Sequence, residues 1–401
     1  MEGKKWSLKK AITWIIITNL ITASVLIFVP IKTIGGKVLV NGDDYKFFKQ
    51  YEKMKPVNDI IKDNYYEKID DSKMVEGAIK GMVSALDDPY TVFMNKKEFD
   101  ELKTSTQGSF TGVGIYIGDK DGKIVVVAPI EDSPAEKAGI KSGDIITKVN
   151  GQEVSAKESD KAVSMMKGKA GTKVKITIYR EGVGEKDIEV TREKIVFKTV
   201  KSEMLPDNIA YIRITTFDEN TSKAFVSALD DMKSKGMKGL ILDLRDNPGG
   251  LLDECKVVAD KLLGKGTIVY TLDKDGKKEV LESDEDKINV PLVVLTNGGT
   301  ASASEIVSGA VRDHKAGTLI GTTTFGKGLV QTVIPLIDGT GIKVTTARYY
   351  TPSGECIQKK GIKPDIEVPL PDNLKDKPIS ELNRAEDVQL KKAIEVIKTK
   401  M

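Results

Sequence analysis

The sequence predicts a multidomain α/β protein, with an N-terminal membrane anchor and helical segment, a β-rich middle module that also carries helices, and a C-terminal α/β core. Three observations predict it. The 401 residues are more than one hydrophobic core ordinarily fills. An apolar run from Ala11 to Ile31 would span roughly 31 Å as a helix, about the thickness of a bilayer core. From about Ile209 onward, apolar strands alternate with helical patterns, as in a mainly parallel sheet.

The N-terminal run is preceded by Lys4, Lys5, Lys9 and Lys10 and followed only by Lys32 and Lys37. It is longer than a signal-peptide apolar region and no A-x-A site follows it, so it reads as an uncleaved signal anchor. The lysine bias puts the N-terminus in the cytoplasm and the body outside it, a single-pass protein of the cell membrane. From about Tyr45 to Leu102 apolar residues recur three and four apart, the helical period, with Pro56 as a start signal and Pro89 as a stop. From about Gly108 to Lys194 the texture changes to short strands: "TGVGIYI", "KIVVVAPI", "GDIITKVNGQEV" with a tight turn at Asn150-Gly151, then a hairpin of "TKVKITIYREG" and "KDIEVTREKI". In the last large piece, "IAYIRITTF", "GLILDLRDNPGG", "VPLVVLTNGG", "GTLIGTTTFG" and "IKVTTARYYTPSG" read as strands ending in glycine-rich turns. Between them, "SKAFVSALDDMKSKG", "LDECKVVADKLL" and "ASEIVSGAVRDHKAG" read as helices, and "EDVQLKKAIEVIK" closes as a surface helix.

Composition excludes several functions. The 62 basic residues nearly balance 59 acidic ones, for a net charge of +3, so there is no electrostatic case for nucleic-acid binding. Cys255 and Cys356 belong to no C-x-x-C pair and read as isolated buried thiols, although a disulfide between them is open from sequence. The one histidine, His314, is too few for a histidine-based zinc site. "GTTTFGKG" departs from a phosphate-binding loop at Gly328, where Ser or Thr should hold magnesium, and a strand rather than a helix follows it. No metal, nucleotide or other cofactor is implied.

The chemistry centres on "GGTASASEIVSGA", Gly298–Ala310, at the end of an apolar strand and the start of a helix. Ser302 has two readings. In "SASE" it fits the S-x-x-E capping box, and could simply satisfy first-turn amides. It also stands where a nucleophile projects above a sheet beside helix-start amides that would stabilise an oxyanion. The G-x-S-x-G elbow is absent, so the α/β-hydrolase pattern fails. A Ser–His–Asp triad would need His314, at the far end of the same helix and roughly 18 Å away by helical rise. The remaining serine chemistry pairs the hydroxyl with a lysine whose pKa burial has lowered. Lys327, between Gly326 and Gly328, is the candidate.

Two resemblances sharpen these readings. "SPAEKAGIKSGDIITKVNGQEV" resembles a PDZ domain, with "TGVGIYI" as its peptide-binding loop and strand. The resemblance implies that amides of Gly112, Val113, Gly114 and Ile115 hold a terminal carboxylate while Ile115, Tyr116 and Ile117 pair with an incoming strand. From about Leu86 to Asp365 the motifs "LDDPYTVF", "LDLRDNPGG", "GTASASEIVSGAVRD", "GTTTFGKGLVQ" and "ARYYTPSGECIQKKGIKPD", in that order, resemble the C-terminal processing peptidases. That resemblance implies Ser302 as nucleophile, Lys327 as general base, Gln331 as the residue orienting it, and an oxyanion hole from Ala303 with Gly249 or Gly250. It gives Asp313 a structural part, makes Lys167 a candidate sensing contact in the PDZ domain, and makes Ser304 and Ser308 packing or capping residues.

The implied order is a cytoplasmic tip and transmembrane signal anchor (1–36), a helical N-terminal domain (40–105), a PDZ domain (106–195), an α/β serine protease core (196–370) and a C-terminal helical tail (371–401). The implied function is a membrane-anchored, extracytoplasmic serine endopeptidase that cleaves protein substrates with accessible C-termini. A homodimer through the terminal helices and a regulatory activator protein are the further partners. The competing class is a catalytically silent PDZ scaffold, which would have no reason to keep Ser302, Lys327 and Gln331 together.

Overall fold

A computed structural model describes residues 8–28, 42–375 and 377–401. It divides into two compact units, the second running from Ala78 to Met401. The first unit holds α1 (Leu8–Phe28), α2 (Gly42–Gln50), α3 (Met54–Asn64) and the start of α4 (Asp71–Ser84). Pro56 lies in the first turn of α3, where its missing N–H costs no helical hydrogen bond. Of the expected anchor, α1 covers all but 29–31, which lie outside the described residues together with several side chains of α1. Among the described residues, no helix is long and apolar enough to cross a membrane.

The second unit begins with the end of α4, then β1 (Val92–Met94) and α5 (Lys96–Gln107). Helix α5 opens on a reciprocal cap: the Asn95 side chain accepts the Glu98 amide at 3.0 Å, and Glu98 accepts the Asn95 amide at 2.8 Å. It closes at Gly108 in the left-handed conformation. The stretch expected to be purely helical thus contains a strand, β1, which pairs with a distant partner in the core.

The middle module contains β2 (Ser109–Gly112), β3 (Ile115–Lys120), β4 (Lys123–Pro129), α6 (Pro134–Lys137), β5 (Ile145–Val149), β6 (Gln152–Glu153), α7 (Ser159–Met166), β7 (Lys173–Arg180), β8 (Gly184–Thr191) and β9 (Glu193–Val196). Its sheet runs β3-β4-β5-β7-β8, leaving one side of β3 as an edge, while β2 pairs with β9. The hairpin β7–β8 forms as read, and Asn150-Gly151 turns with φ of 51° and 77°, the left-handed pair of a tight hairpin.

The core contains β10 (Val200–Leu205), β11 (Ile209–Ile214), α8 (Thr221–Ser234), β12 (Gly239–Asp243), α9 (Leu252–Leu262), β13 (Gly266–Asp273), β14 (Lys278–Ser283), β15 (Leu292–Thr296), α10 (Ala303–Asp313), β16 (Thr318–Gly321), β17 (Leu329–Pro335), β18 (Gly341–Tyr350), β19 (Ile366–Glu367) and α11 (Val388–Lys398). One sheet runs β10-β11-β12-β15-β16-β19, parallel except for β10. Every residue of β12 (GLILD) and β15 (LVVLT) is buried, because helices cover both sheet faces. Apolar side chains of α8, α9 and α10 fill one face, and Leu390, Ala393 and Ile397 of α11 fill the other. A second sheet, β1-β18-β13-β14 with β17 also on β18, carries the hairpin that follows Lys327.

A buried arginine ties α11 to the sheet. Arg245, just past β12, donates to Asp243 at 2.6 Å, to Asp387 at 2.8 Å and to Gln389 at 2.9 Å. Burial alone would raise the Asp243 pKa, but Arg245 outweighs it and holds that carboxyl below the usual range. Asp387 also accepts the Gln389 and Leu390 amides, so one carboxylate caps α11 and neutralises the core cation.

Candidate active site

Three loops leave the same ends of three adjacent parallel strands. The turn 244–250 follows β12, the turn 297–302 follows β15, and the loop 322–328 follows β16. Crevices outside the carboxyl ends of such strands are where α/β sheets bind ligands. The middle strand delivers Ser302 to the start of α10 with φ 54° and ψ −116°, a conformation that non-glycine residues rarely hold. The strained strand-to-helix turn of a nucleophile elbow is therefore present without its sequence motif.

The capping-box arrangement of Ser302 and Glu305 is present. Glu305 Oε2 accepts the Ser302 amide at 2.8 Å, and the Glu305 amide donates to the Ser302 carbonyl oxygen, also at 2.8 Å. Ser302 lines a cavity of about 560 Å³ with Ala303, Gly250, Lys327 and Gln331. Glu305 itself is wholly buried and does more than cap. Its Oε1 accepts Thr324 Oγ1 at 2.5 Å and the Gly326 amide at 2.7 Å, while Oε2 also accepts the Lys327 amide at 2.9 Å. One carboxylate thus pins both the serine turn and the lysine loop.

The two candidate glycines of the turn after β12 differ in whether their amides are engaged. The Gly249 amide is taken by Asn247 Oδ1 at 2.9 Å, and the Gly249 carbonyl accepts the Phe217 amide at 3.0 Å. The Gly250 and Ala303 amides make no hydrogen bond among the described residues, so both donors are open. Backbone approach here requires glycine: a Cβ at Gly249 would sit 2.9 Å from both the Ala303 nitrogen and Ser302 Cβ, and one at Gly250 would sit 2.1 Å from the Phe217 carbonyl oxygen. Asn247 is wholly buried, its carbonyl accepting the Ala301 amide at 2.9 Å and Ser304 Oγ at 3.1 Å.

Lys327 is half-buried. Loss of water pulls its pKa below the usual lysine range, the charge of Lys343 adds to that, and Asp88 and Glu305 oppose it. No hydrogen bond joins Lys327 to Ser302 among the described residues; Nζ instead lies 4.6 Å from the centre of the Tyr90 ring. Gln331 does not contact the lysine by hydrogen bond either. Its Nε2 reaches Thr345 Oγ1 at 3.4 Å, its cross-strand neighbour on β18. His314 Nε2 is engaged with the Thr267 carbonyl at 2.7 Å, at the far end of α10. Asp313 holds Arg312 and the Ser353 amide, and Ser304 and Ser308 bond to backbone carbonyls inside the core. Cys255 is buried and Cys356 half-buried, both as free thiols, which corrects the expectation that both are buried.

In the middle module, Val113, Gly114, Ile115 and Tyr116 line a pocket of about 230 Å³ with Phe110, Val163, Met166 and Lys167. The Val113 carbonyl accepts the Ala135 amide at 2.9 Å and the Gly114 carbonyl accepts Ile130 at 3.0 Å, so both carbonyls are spent inside the module. Gly112 is paired with Glu193 in β2, and Ile117 with Val126 in β3; neither lines the pocket. Lys167 is exposed, with Nζ 5.8 Å from the Phe110 ring centre.

Sequence reasoning assigned no role to Asp88, Tyr90 or Lys343 and gave Glu305 only a cap. The signal for Glu305 was the S-x-x-E spacing; the others reach the site through pairing across the second sheet.

Comparison with known proteins shows the family. Family models match as peptidase family S41 over residues 208–368, a PDZ domain over 111–191, and the activating protease CtpB N-terminal domain over 36–98. The carboxy-terminal processing protease CtpA of Bacillus subtilis (strain 168) is 42% identical over 365 residues, which is 90% of this chain and 77% of that protein. CtpB of the same strain is 37% identical over 330 residues, 81% of this chain and 69% of that protein. A solved structure titled photosystem II D1 C-terminal processing protease is 34% identical, covering 82% of this chain and 88% of that one, with a TM-score of 0.48. The scaffold alternative gives way to these matches. The chain belongs to peptidase family S41, among the PDZ-containing serine proteases that process protein C-termini.

Proposed function

We propose that this serine protease works as a Ser302–Lys327 endopeptidase, tethered to the membrane with its body outside the cytoplasm, and that its PDZ groove selects the C-terminal tails it cuts. The observation that carries the reading is Ser302 at its strained φ, in one cavity with Lys327 and the uncommitted Gly250 and Ala303 amides. Neutral Lys327 takes the Ser302 Oγ proton as the oxygen attacks the scissile carbonyl. The two amides hold the developing oxyanion, the ammonium returns its proton to the leaving amine, and water then hydrolyses the acyl-enzyme. Lowering of the lysine's pKa by burial favours the neutral amine this step needs.

Selection of tails rests on the open edge of β3 and the apolar pocket at Val113–Tyr116, which suit strand addition by a peptide with an apolar last residue. The tether rests on the apolar run Ala11–Ile31 and the lysines before it. A dimer through terminal helices and control by an activator are carried over from the family resemblance alone.

The test is cleavage of an unstructured protein with an apolar C-terminus by the full chain in detergent, beside Ser302→Ala and Lys327→Ala. Cleavage by the parent and by neither variant supports the dyad. Cleavage surviving in Lys327→Ala refutes the lysine as base, and cleavage surviving in Ser302→Ala refutes the nucleophile.

A further inference from the structure

The turn Asp87–Thr91 between α4 and β1 has no role in the chemistry above, yet it faces the catalytic lysine. The Tyr90 ring centre lies 4.6 Å from Lys327 Nζ. Asp88 is fixed inside the same turn, accepting the Tyr90 amide at 3.0 Å and Thr91 Oγ1 at 2.6 Å. Thr91 Oγ1 in turn accepts the Thr345 amide at 3.0 Å, and Val92 pairs with Lys343. The turn is thereby fastened to β18, the partner strand of the hairpin that follows Lys327.

The charged groups facing Lys327 come from three elements: Asp88 from the turn, Lys343 from β18 and Glu305 from α10. Both Glu305 oxygens are already occupied, by Thr324, Gly326, Ser302 and Lys327 main-chain or hydroxyl donors. Lys343 repels an ammonium. The charges of Asp88 and Glu305 attract one, and so does the ring face of Tyr90, which of the three lies against Nζ itself. A ring quadrupole draws a cation and not a neutral amine, so this contact distinguishes the two protonation states of the same side chain.

We infer that Tyr90, backed by Asp88, is a positioning residue that seats the Lys327 ammonium, and that Lys327 crosses to Ser302 as the neutral amine once it leaves that ring. The seat holds the wrong protonation state away from the nucleophile and releases the right one. The inference rests on Lys327 being the base, but its test does not.

The test measures the titration of Lys327 by competitive acetic anhydride labelling and mass spectrometry across pH, in full-length Ser302→Ala protein. Tyr90→Phe keeps the ring face and should titrate as its parent. Tyr90→Leu removes the attraction to the cation, so the midpoint should fall by about half a pH unit or more. Asp88→Asn should move it the same way, and in the Ser302 enzyme the acid limb of the kcat/KM profile should follow in each case. A Tyr90→Leu midpoint unchanged from the parent overturns the inference. So does an equal shift in the Phe and Leu variants, which would mark general loosening of the turn rather than loss of a cation seat. Because labelling is read in the inert Ser302→Ala protein, it reports the seat even where the cleavage test above removes Lys327 from the chemistry.

Discussion

Glu305→Gln isolates the clamp that joins the two catalytic loops. The carboxylate receives four donors: Thr324 Oγ1 and the Gly326 amide at Oε1, and the Ser302 and Lys327 amides at Oε2. Glutamine has nearly the same shape but one acceptor oxygen. If its oxygen stays on the Ser302 and Lys327 side, its NH₂ meets Thr324 and Gly326. The Thr324 hydroxyl can turn to accept, but the Gly326 amide cannot, so one buried amide is orphaned in the better of the two orientations. A lost hydrogen bond to a charged group is worth about 1.5–3 kcal/mol, and the three that remain lose their charge assistance. For a domain of about 150–250 residues, the size range of the α/β core, about 1 kcal/mol shifts Tm by roughly 2–4 °C, so the core of the variant should melt about 5–10 °C below that of the parent. Loosening of the loop beside Gly326 misplaces Lys327, and an error near 1 Å costs on the order of a hundredfold in kcat. The assay is a thermal melt beside single-turnover cleavage of an unstructured substrate. A Glu305→Gln protein that melts with the parent and keeps its single-turnover rate refutes the clamp.

Gly250→Ala drives a methyl group against the Phe217 carbonyl oxygen and displaces one oxyanion donor, so kcat should fall about a hundredfold or more with KM changed far less, by steady-state kinetics. Arg245→Met leaves Asp243 and Asp387 buried without their cation and should cost about 3–5 kcal/mol, read by urea unfolding. In the parent, the Asp243 carboxyl titrates lower folded than unfolded, so its contribution is full above the unfolded value of about 4 and is lost as pH falls through the folded one; hydrogen exchange of α11 should speed up there. Lys327 has the opposite sign. Its folded pKa lies below its unfolded value of about 10.4, so burial destabilises the fold wherever the lysine is charged, and that penalty lifts as pH rises through the folded pKa; Lys327→Met should therefore raise Tm at pH 7 while abolishing cleavage.

The site was legible where chemistry coincides with punctuation. "DNPGG", "TNGGTASAS" and "TFGKG" each follow a short apolar strand, and a parallel sheet brings such turns to one end, which is where Gly250, Ser302 and Lys327 lie. Which of Gly249 and Gly250 keeps an open amide was not legible, because it depends on which one Asn247 captures. Gln331 shows the limit of carrying a role across by motif: its place on β17 is as expected, but its amide bonds to Thr345. Strands β13 and β14 went unread because "GTIVYTLDKDGKKEVLES" mixes lysine and aspartate into a half-covered sheet, blurring the alternation. The seat of Lys327 depends on β1 pairing with β18, a contact between residues about 250 positions apart that no local pattern encodes.

The Arg245 network also sets an order of events during synthesis. Asp387 is 142 residues later in the chain than Arg245. At roughly 5–20 residues per second, Arg245 and Asp243 leave the ribosome many seconds before the second carboxylate exists. Until then the end of β12 carries a cation that the closing sheet would have to bury with half its neutralising charge, and the "DNPGG" turn that starts at the next residue lacks the Ile379 amide that Asp246 later accepts. The buried charge at the end of β12 is therefore balanced only once α11 has been made.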